Sequence, residues 1–335
     1  MDDWLRRVVD LADGFKAAMI VLAAAELDLF TALGKGRHSE KEIARKLKTN
    51  PRATWLWLNA LVALGLLEKR GGRYANAPQA RRFLDRSSPG YRGAFLRHIS
   101  HYWPQWAALT EVVRSGQPKP RGRRDAGSAA DFAWAMHDLA RERADEVAAI
   151  LWPQAPIEAR RGAPRTALDL GGGPGTYAVA MAKRNPRLTV TVFDDPEILK
   201  VTRQVVTRAR LTRRVLLQPG DFLEDPVGGS YDLILVSSVI HQYGAAEVRR
   251  VLRICAEALA PGGRLAIQDF LLDESMTQPL DAAIFGVHML VVSSNGRSYS
   301  AAEVAQWMRD VGFAKPRLVS VGDGASSLLV AKRAA

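Results

Sequence analysis

The stretch that most constrains this chain is a glycine cluster, Gly171-Gly172-Gly173-Pro174-Gly175, which directly follows a short apolar run. A helical run over 177–183 comes next, so the pattern predicts a strand, a tight turn and a helix. Glycine has no Cβ, which lets the backbone turn sharply and approach a ligand closely. A unit of this kind opens a nucleotide-binding α/β sheet.

The rest of the C-terminal half alternates between apolar runs and helical patterns. The predicted strands are, in chain order, 167–170, 188–193, 215–218, 231–236, 264–270, 316–321 and 327–331. Strands that alternate with helices form a parallel, doubly wound sheet. We therefore predict a seven-stranded, mostly parallel Rossmann-like α/β sheet, in which the close spacing of the last two strands makes one of them antiparallel.

The N-terminal part carries a different pattern. Ser39–Glu42 forms a capping box, Asn50-Pro51 starts a second helix, and a Gly71-Gly72 turn joins a small hairpin. Helix, helix and hairpin in this order predict a winged helix in a mostly α-helical domain. We place this domain at 1–110 and a second domain at 111–335, with a helical connector over about 130–152.

Composition bears on possible partners. The net charge of +12 raises nucleic acid as a partner, but the basic residues are scattered, and Arg52 is the only cation on the candidate recognition helix, Pro51–Leu64. That helix is apolar nearly all round, whereas base readout needs polar side chains on one face. We expect no nucleic-acid partner.

The sequence also bears on compartment. Cys255 is the only cysteine, so neither an intrachain disulfide nor a cysteine-based zinc site is possible. The apolar run Ala17–Ala25 is too short to span a bilayer. We expect a cytoplasmic protein with no membrane insertion and no bound metal.

Ligands of such sheets bind outside the carboxyl ends of the strands. The first end carries Asp169, Gly171, Gly173 and Gly175. Thr176 stands where a dinucleotide motif has its third glycine, which argues against a nicotinamide oxidoreductase.

The second and third strand ends carry acids. Asp194 and Asp195 follow the second strand, and Gly220-Asp221-Phe222 follows the third. A carboxylate at the second end can accept both hydroxyls of a ribose. A carboxylate at the third can accept the amino group of adenine, against which Phe222 can pack. Together these residues predict a nucleoside ligand.

The fourth strand end carries His241 together with Ser237 and Ser238, two serines that we predict to contact the nucleoside ligand. A neutral imidazole can take a proton at physiological pH. Methyl transfer from a sulfonium needs a good nucleophile, and a phenol with a pKa of about 10 is mostly un-ionised at pH 7. His241 at this position therefore suggests a general base.

These motifs together resemble the small-molecule O-methyltransferases of the caffeate and hydroxyneurosporene type. The matching stretches are Asp169–Gly175, Phe193–Pro196, Gly220–Phe222, Ile240-His241 and Ala260–Gly263. The resemblance implies S-adenosyl-L-methionine as methyl donor, Asp194 on the ribose, Asp221 on the adenine and His241 as the catalytic base. It also implies a homodimer formed through the winged-helix domain and a hydroxylated small-molecule acceptor.

Several positions depart from the plant members of that family. Ser237 stands in place of a lysine, Gln242 in place of an aspartate, and Asp195 in place of a leucine, and the acids that flank the plant base fall near Gln268 and Ser298. Either Asp269 or another group then orients His241, or catalysis depends on proximity. A C-methyltransferase, an inactive member and a ligand-sensing winged-helix regulator remain alternatives.

The acceptor pocket is predicted from residues in segments that should face the sulfonium. These residues are Phe132, Met136, Phe285, His288 and Met289. An apolar wall with one or two polar groups suits an aromatic or polyketide-like acceptor. His288 is a candidate hydrogen-bonding group or second base.

Overall fold

The computed structural model describes residues 1–119, 126–152, 165–322 and 326–334, and it divides into two compact units, Met1–Trp103 and Pro104–Ala335. The helices from the N-terminus to the boundary are α1 Asp3–Asp13, α2 Phe15–Glu26, α3 Leu29–Leu33, α4 Glu40–Leu47, α5 Pro51–Ala63, α6 Pro78–Leu84, α7 Ala94–Ser100 and α8 Trp103–Ala107. The strands are β1 His38–Ser39, β2 Leu67–Arg70 and β3 Arg73–Asn76.

The first unit has the predicted winged-helix pattern. Helices α4 and α5 begin at the predicted caps, since the Ser39 side chain accepts from Glu42 N and the Asn50 side chain accepts from Ala53 N. Strands β2 and β3 pair antiparallel, and β1, which the sequence pattern did not indicate, adds to β3. The core of this unit surrounds Tyr74, which is fully buried.

The described helices of the second unit, after α8, are α9 Leu109–Ser115, α10 Ala126–Leu151, α11 Thr176–Arg184, α12 Pro196–Arg208, α13 Ala245–Ala258, α14 Leu280–Val292 and α15 Ala301–Asp310. Its strands are β4 Thr166–Leu170, β5 Thr189–Asp194, β6 Val215–Pro219, β7 Tyr231–Ser237, β8 Leu259–Asp269, β9 Phe313–Val321 and β10 Ser326–Arg333. A 3₁₀ turn covers Ile240–Gln242.

Within the described residues these strands form one seven-stranded sheet in the order β6-β5-β4-β7-β8-β10-β9. Strands β6, β5, β4, β7 and β8 are parallel, and β10 runs antiparallel to both β8 and β9. The mostly parallel sheet and the antiparallel late strand are therefore confirmed. Strand order reverses at β4, and ligands of open α/β sheets bind beside such a switch point.

Both faces of the sheet are covered. Alternate strand residues face opposite sides, so Leu233 and Leu235 join a core with α10, α11 and α12, while Ile234 and Val236 join a core with α13 and α15. A sheet buried on both faces explains why the central strands are continuously apolar. No helix among the described residues is long and apolar enough to cross a bilayer.

The sequence-predicted domain boundary at residue 110 remains a prediction. The boundary between the two compact units falls between Trp103 and Pro104 in the chain, inside α8. Within the second unit α10 packs on α11 and α12, which makes the connector helix part of the fold around the sheet.

Candidate active site

The turn after β4 presents bare backbone at the switch point. Gly171, Gly173 and Gly175 have φ angles of +65°, +55° and +71°, which L side chains rarely adopt. A Cβ at Gly171 would lie 2.7 Å from Val239 Cγ2, and a Cβ at Gly175 would lie 2.7 Å from Thr202 Cγ2. Conformation and space therefore both require glycine at these two positions.

Asp194 at the end of β5 lies directly beside this turn. Its Oδ2 accepts from Gly173 N at 2.7 Å, and its Oδ1 accepts from Asp195 N at 2.7 Å. Burial raises the pKa of Asp194, and these two amide hydrogen bonds oppose the rise. Asp195 caps α12, since its Oδ1 accepts from Glu197 N at 2.7 Å, so its side chain already has a structural role.

Asp169 lies underneath the glycine turn and is completely buried. Its Oδ2 accepts from Ala178 N at 3.2 Å, while its Oδ1 has no hydrogen-bond partner among the described residues. A Cβ at Gly172 would lie 2.6 Å from Asp169 Cγ, so the turn packs against the carboxyl group. An unpartnered buried acceptor beside a bare turn suits a bound group that brings a donor or a positive charge.

Burial of Asp169 makes stability depend on pH. Desolvation, with a smaller contribution from the charge of Asp194, raises its pKa from 3.8 to about 7. The folded protein therefore binds a proton that the unfolded chain releases, and the resulting stability is full below about pH 4 and is lost as pH rises through 7. Asp169→Asn should remove this decline, which amounts to a few kcal/mol because a tenfold difference in proton affinity is worth about 1.4 kcal/mol.

Urea unfolding between pH 4 and 8 measures this effect. Asp310→Asn is a matched control, because Asp310 is exposed at the end of α15. An equal decline of unfolding free energy in wild type and Asp169→Asn would contradict the assignment to Asp169.

Residues after β6 border the same turn. Phe222 is buried, and its Cε1 lies 3.5 Å from the position that a Cβ of Gly171 would occupy. A Cβ at Gly220 would lie 2.6 Å from Phe193 Cζ, so this turn is also held close to the sheet. Asp221 is exposed, and its Oδ1 accepts from Leu223 N at 2.9 Å.

The two serines at the end of β7, Ser237 and Ser238, have packing and backbone roles. Ser237 is buried, and its hydroxyl donates to Gln268 Oε1 at 2.6 Å. Ser238 has a φ of +56°, which is uncommon for a residue with a side chain, and the chain turns there toward the 3₁₀ turn. This bend carries His241 to the carboxyl edge of the sheet.

His241 is held by an acid at the end of β8. Its Nδ1 lies 2.7 Å from Asp269 Oδ1, and both side chains are buried. Asp269 also accepts from Phe270 N at 2.8 Å and, through Oδ2, from His241 N at 3.4 Å. A carboxylate accepts only, so Nδ1 carries the hydrogen and Nε2 keeps its lone pair. The geometry thus supplies an oriented imidazole whose Nε2 can accept a proton.

Aromatic rings surround this imidazole. The Phe285 ring lies edge-on to it at 4.8 Å between centroids, and Phe270 stacks on Phe285 at 4.1 Å. His288 lies 5.7 Å from Phe285, and Trp106 Nε1 donates to His288 Nδ1 at 3.1 Å. Sequence reasoning gave no functional role to Trp106 or Phe270. The position of Phe270 directly after Asp269 is the one signal that could have marked it.

The other predicted acceptor residues are placed differently. Met289 is buried on α14, whereas Phe132 and Met136 lie on α10, which packs mainly against α11 and α12. His137, the residue after Met136, has its Nδ1 2.7 Å from Thr176 Oγ1. This contact ties α10 to the start of α11 beside the glycine turn.

The end of α14 is followed by a short turn that packs against the backbone of His241. Ser293 Oγ donates to Met289 O at 2.8 Å and accepts from Gly296 N at 3.0 Å. A Cβ at Gly296 would collide with His241 O. The turn that ends α14 therefore packs closely against the backbone of His241.

No group of three or more His, Cys, Asp or Glu among the described residues could hold a metal ion.

Comparisons with known proteins cover nearly the whole chain. An O-methyltransferase domain model matches residues 162–314, and an O-methyltransferase dimerisation domain model matches residues 9–86. The chain is 31% identical to the 3-hydroxy-5-methyl-1-naphthoate 3-O-methyltransferase of Streptomyces sahachiroi, over 97% of this chain and 94% of that protein. It is 30% identical to the tetracenomycin polyketide synthesis 8-O-methyl transferase of Streptomyces glaucescens, over 97% and 96%.

Solved structures agree with these matches. An O-methyltransferase family protein from Burkholderia thailandensis has a TM-score of 0.85 and 28% identity, over 99% of this chain and 98% of that one. The structure of PigF with SAH has a TM-score of 0.86 and 26% identity, over 99% and 100%.

Proposed function

Because this chain belongs to the S-adenosylmethionine-dependent O-methyltransferase family and carries that family's dimerisation domain, we propose that it methylates a hydroxyl of a small aromatic or polyketide-like molecule, with His241 as general base. The observation that carries this proposal is the 2.7 Å contact between His241 Nδ1 and Asp269 Oδ1 at the carboxyl edge of the sheet.

S-adenosyl-L-methionine is the methyl donor of this family, and the residues around the glycine turn suit it. The bare turn at Gly171–Gly175 admits close approach. Asp194, which accepts from Gly173 N, would accept the ribose hydroxyls, and Asp221 with Phe222 would contact the adenine. Asp169 Oδ1 supplies a buried acceptor without a partner among the described residues. When bound, the donor supplies a methyl group on a positively charged sulfur.

His241 acts on the acceptor hydroxyl. Asp269 fixes Nδ1–H, so Nε2 accepts the hydroxyl proton and Asp269 stabilises the imidazolium that forms. A phenol with a pKa of about 10 gains most from such a base, because its phenolate is scarce at pH 7. A positioned base of this kind is worth about 10²–10⁴ in rate.

The rings near His241 favour an aromatic acceptor. Phe270 and Phe285 form an apolar wall beside the base, and His288 adds a polar group to it. Phe132, Met136 and Met289 are proposed as further apolar lining on α10 and α14. The two Streptomyces relatives, named for a naphthoate and for tetracenomycin, are consistent with fused aromatic acceptors.

The dimerisation domain supports a homodimer. Helix α1 buries none of its own residues within the chain, and Trp4 and Leu11 are 71% and 74% exposed. Exposed apolar side chains on an amphipathic helix mark an interface. We propose that a second copy of this chain covers α1.

Turnover of simple phenols tests the proposed function. Purified protein with S-adenosylmethionine should convert members of a panel of naphthols and hydroxyanthraquinones to aryl methyl ethers, detected by mass spectrometry and by the methoxy signal in NMR. Products methylated on carbon would replace this proposal with the C-methyltransferase alternative. Calorimetric binding of the donor without methylation of any phenol would favour the ligand-sensing regulator.

A further inference from the structure

The two histidines beside Phe285 have hydrogen-bond partners of opposite character. His241 Nδ1 faces the Asp269 carboxylate, which can only accept, whereas His288 Nδ1 faces the Trp106 indole N–H, which can only donate. His241 therefore carries its hydrogen on Nδ1. His288 Nδ1 accepts from the indole and so carries no hydrogen, which puts the hydrogen of the neutral imidazole on Nε2.

The geometry of the Trp106–His288 contact supports a true hydrogen bond. The nitrogens are 3.1 Å apart, the ring planes differ by 16° and the centroids are 6.0 Å apart. The ring planes are nearly parallel, and the hydrogen bond itself directs the indole N–H at Nδ1, so that Nδ1 is the acceptor. Whatever else His288 contacts, its Nε2 can donate and cannot act as a base.

Both imidazoles belong to one cluster. Phe285 lies 4.8 Å from His241 and 5.7 Å from His288 between ring centroids. Phe285 and His288 are three residues apart on α14, so they lie on one side of that helix. An acceptor packed against Phe285 therefore meets one imidazole that accepts a proton and one that donates a hydrogen bond.

We propose that Trp106 is a positioning residue that keeps His288 as an N–H donor, so that the preferred acceptors carry a second oxygen, of the carbonyl type, on the ring system that bears the methylated hydroxyl. The inference rests on the proposed function and deepens it. His241 removes the hydroxyl proton while His288 holds the carbonyl oxygen, which selects hydroxylated aromatic ketones and quinones over simple phenols. His288 has no role as a second base.

Matched acceptors test the proposal. The 5-, 6- and 7-hydroxy-1-tetralones share a bicyclic skeleton with 5,6,7,8-tetrahydro-2-naphthol, which lacks the carbonyl. Wild type should favour at least one tetralone in kcat/KM by about tenfold or more, the discrimination of one hydrogen bond. His288→Phe should lose that preference, and His288→Gln, which restores an N–H donor, should recover part of it.

Trp106→Phe tests the positioning role. It should reduce the tetralone preference, and the ¹⁵N spectrum of His288 should change from the Nε2–H form to a mixture of tautomers. Trp103→Phe is the matched control in the same short helix, since the Trp103 ring stacks on Phe15; it should leave both the preference and the spectrum unchanged.

The outcomes separate this inference from the function on which it rests. Equal turnover of tetralones and tetrahydronaphthol by wild type, or an unchanged preference in His288→Phe, would overturn the donor role while leaving O-methylation intact. An unchanged His288 spectrum in Trp106→Phe would overturn the role of Trp106. If neither these phenols nor any member of the broader panel were methylated, the result would contradict the proposed function itself.

Discussion

Replacing His241 with alanine should lower kcat for a phenolic acceptor by about 10²–10⁴, the usual contribution of a positioned base. The imidazole of His241 is buried, and because its Nδ1 contacts Asp269, its Nε2 is the nitrogen that can take the proton. Affinity for S-adenosylmethionine should stay close to that of wild type, because the turn and the acid beside it are unchanged. Steady-state kinetics and calorimetric titration with the donor measure the two quantities.

His38→Ala provides the matched control, because His38 lies on β1 in the first unit, and its kcat should equal that of wild type. More acidic acceptors, such as nitrophenols, should lose less rate in His241→Ala, because they ionise without help. A variant that keeps full kcat with an unactivated phenol would remove His241 from the role of base.

Replacing Asp194 with alanine should weaken binding of both S-adenosylmethionine and S-adenosylhomocysteine by about 10²-fold. Hydrogen bonds to a charged group are worth about 1.5–3 kcal/mol, and a carboxylate can hold both hydroxyls of a ribose. Hydrogen bonds from Gly173 N and Asp195 N already hold the Asp194 carboxylate beside the glycine turn. Calorimetry with the two ligands gives the affinities directly.

Asp194→Asn separates charge from shape. It keeps the size of the side chain and should bind more tightly than Asp194→Ala but more weakly than wild type. Asp310→Asn, on the exposed end of α15, controls for a general change in charge. Wild-type affinity in both Asp194 variants would mean that another group holds the ribose.

Much of the fold could be predicted because local chemistry and global pattern agree. The capping box at Ser39 opens a helix as expected, and the glycine turn joins β4 to α11. The antiparallel strand followed from a connection too short for a crossover. The two-residue strand β1 was missed, because a pairing of His38 and Ser39 with β3 leaves no periodic pattern.

The site was predicted less completely, because its contacts join distant residues. The acids that flank the base in the plant enzymes fall near Gln268 and Ser298, which are not acidic here, and Asp269 was one of the alternatives for orienting His241; the structure has Asp269 Oδ1 2.7 Å from His241 Nδ1. Neighbouring strand residues face opposite sides. Gln268 therefore bonds Ser237 and Ser326 inside the fold, while Asp269 reaches His241.

Trp106 could not have been recognised from sequence. Its indole N–H donates to His288, a residue 182 positions away in the chain. Only the three-dimensional arrangement shows which nitrogen of His241 and of His288 is hydrogen-bonded, and therefore which nitrogen of each ring carries the hydrogen.

The link from α14 through Ser293 to Gly296 and the carbonyl of His241 sets a limit on engineering this enzyme. Because α14 carries Phe285, His288 and Met289, the proposed acceptor residues, we expect an exchange of α14 with the corresponding helix of a relative to alter the acceptor range. A graft that ends at Val292 would join a foreign helix to the native turn at Ser293–Gly296, and we expect this mismatch to displace His241. The exchanged segment should therefore run from Pro279 through Gly296, so that the new helix is transferred together with the turn that packs against the backbone of His241.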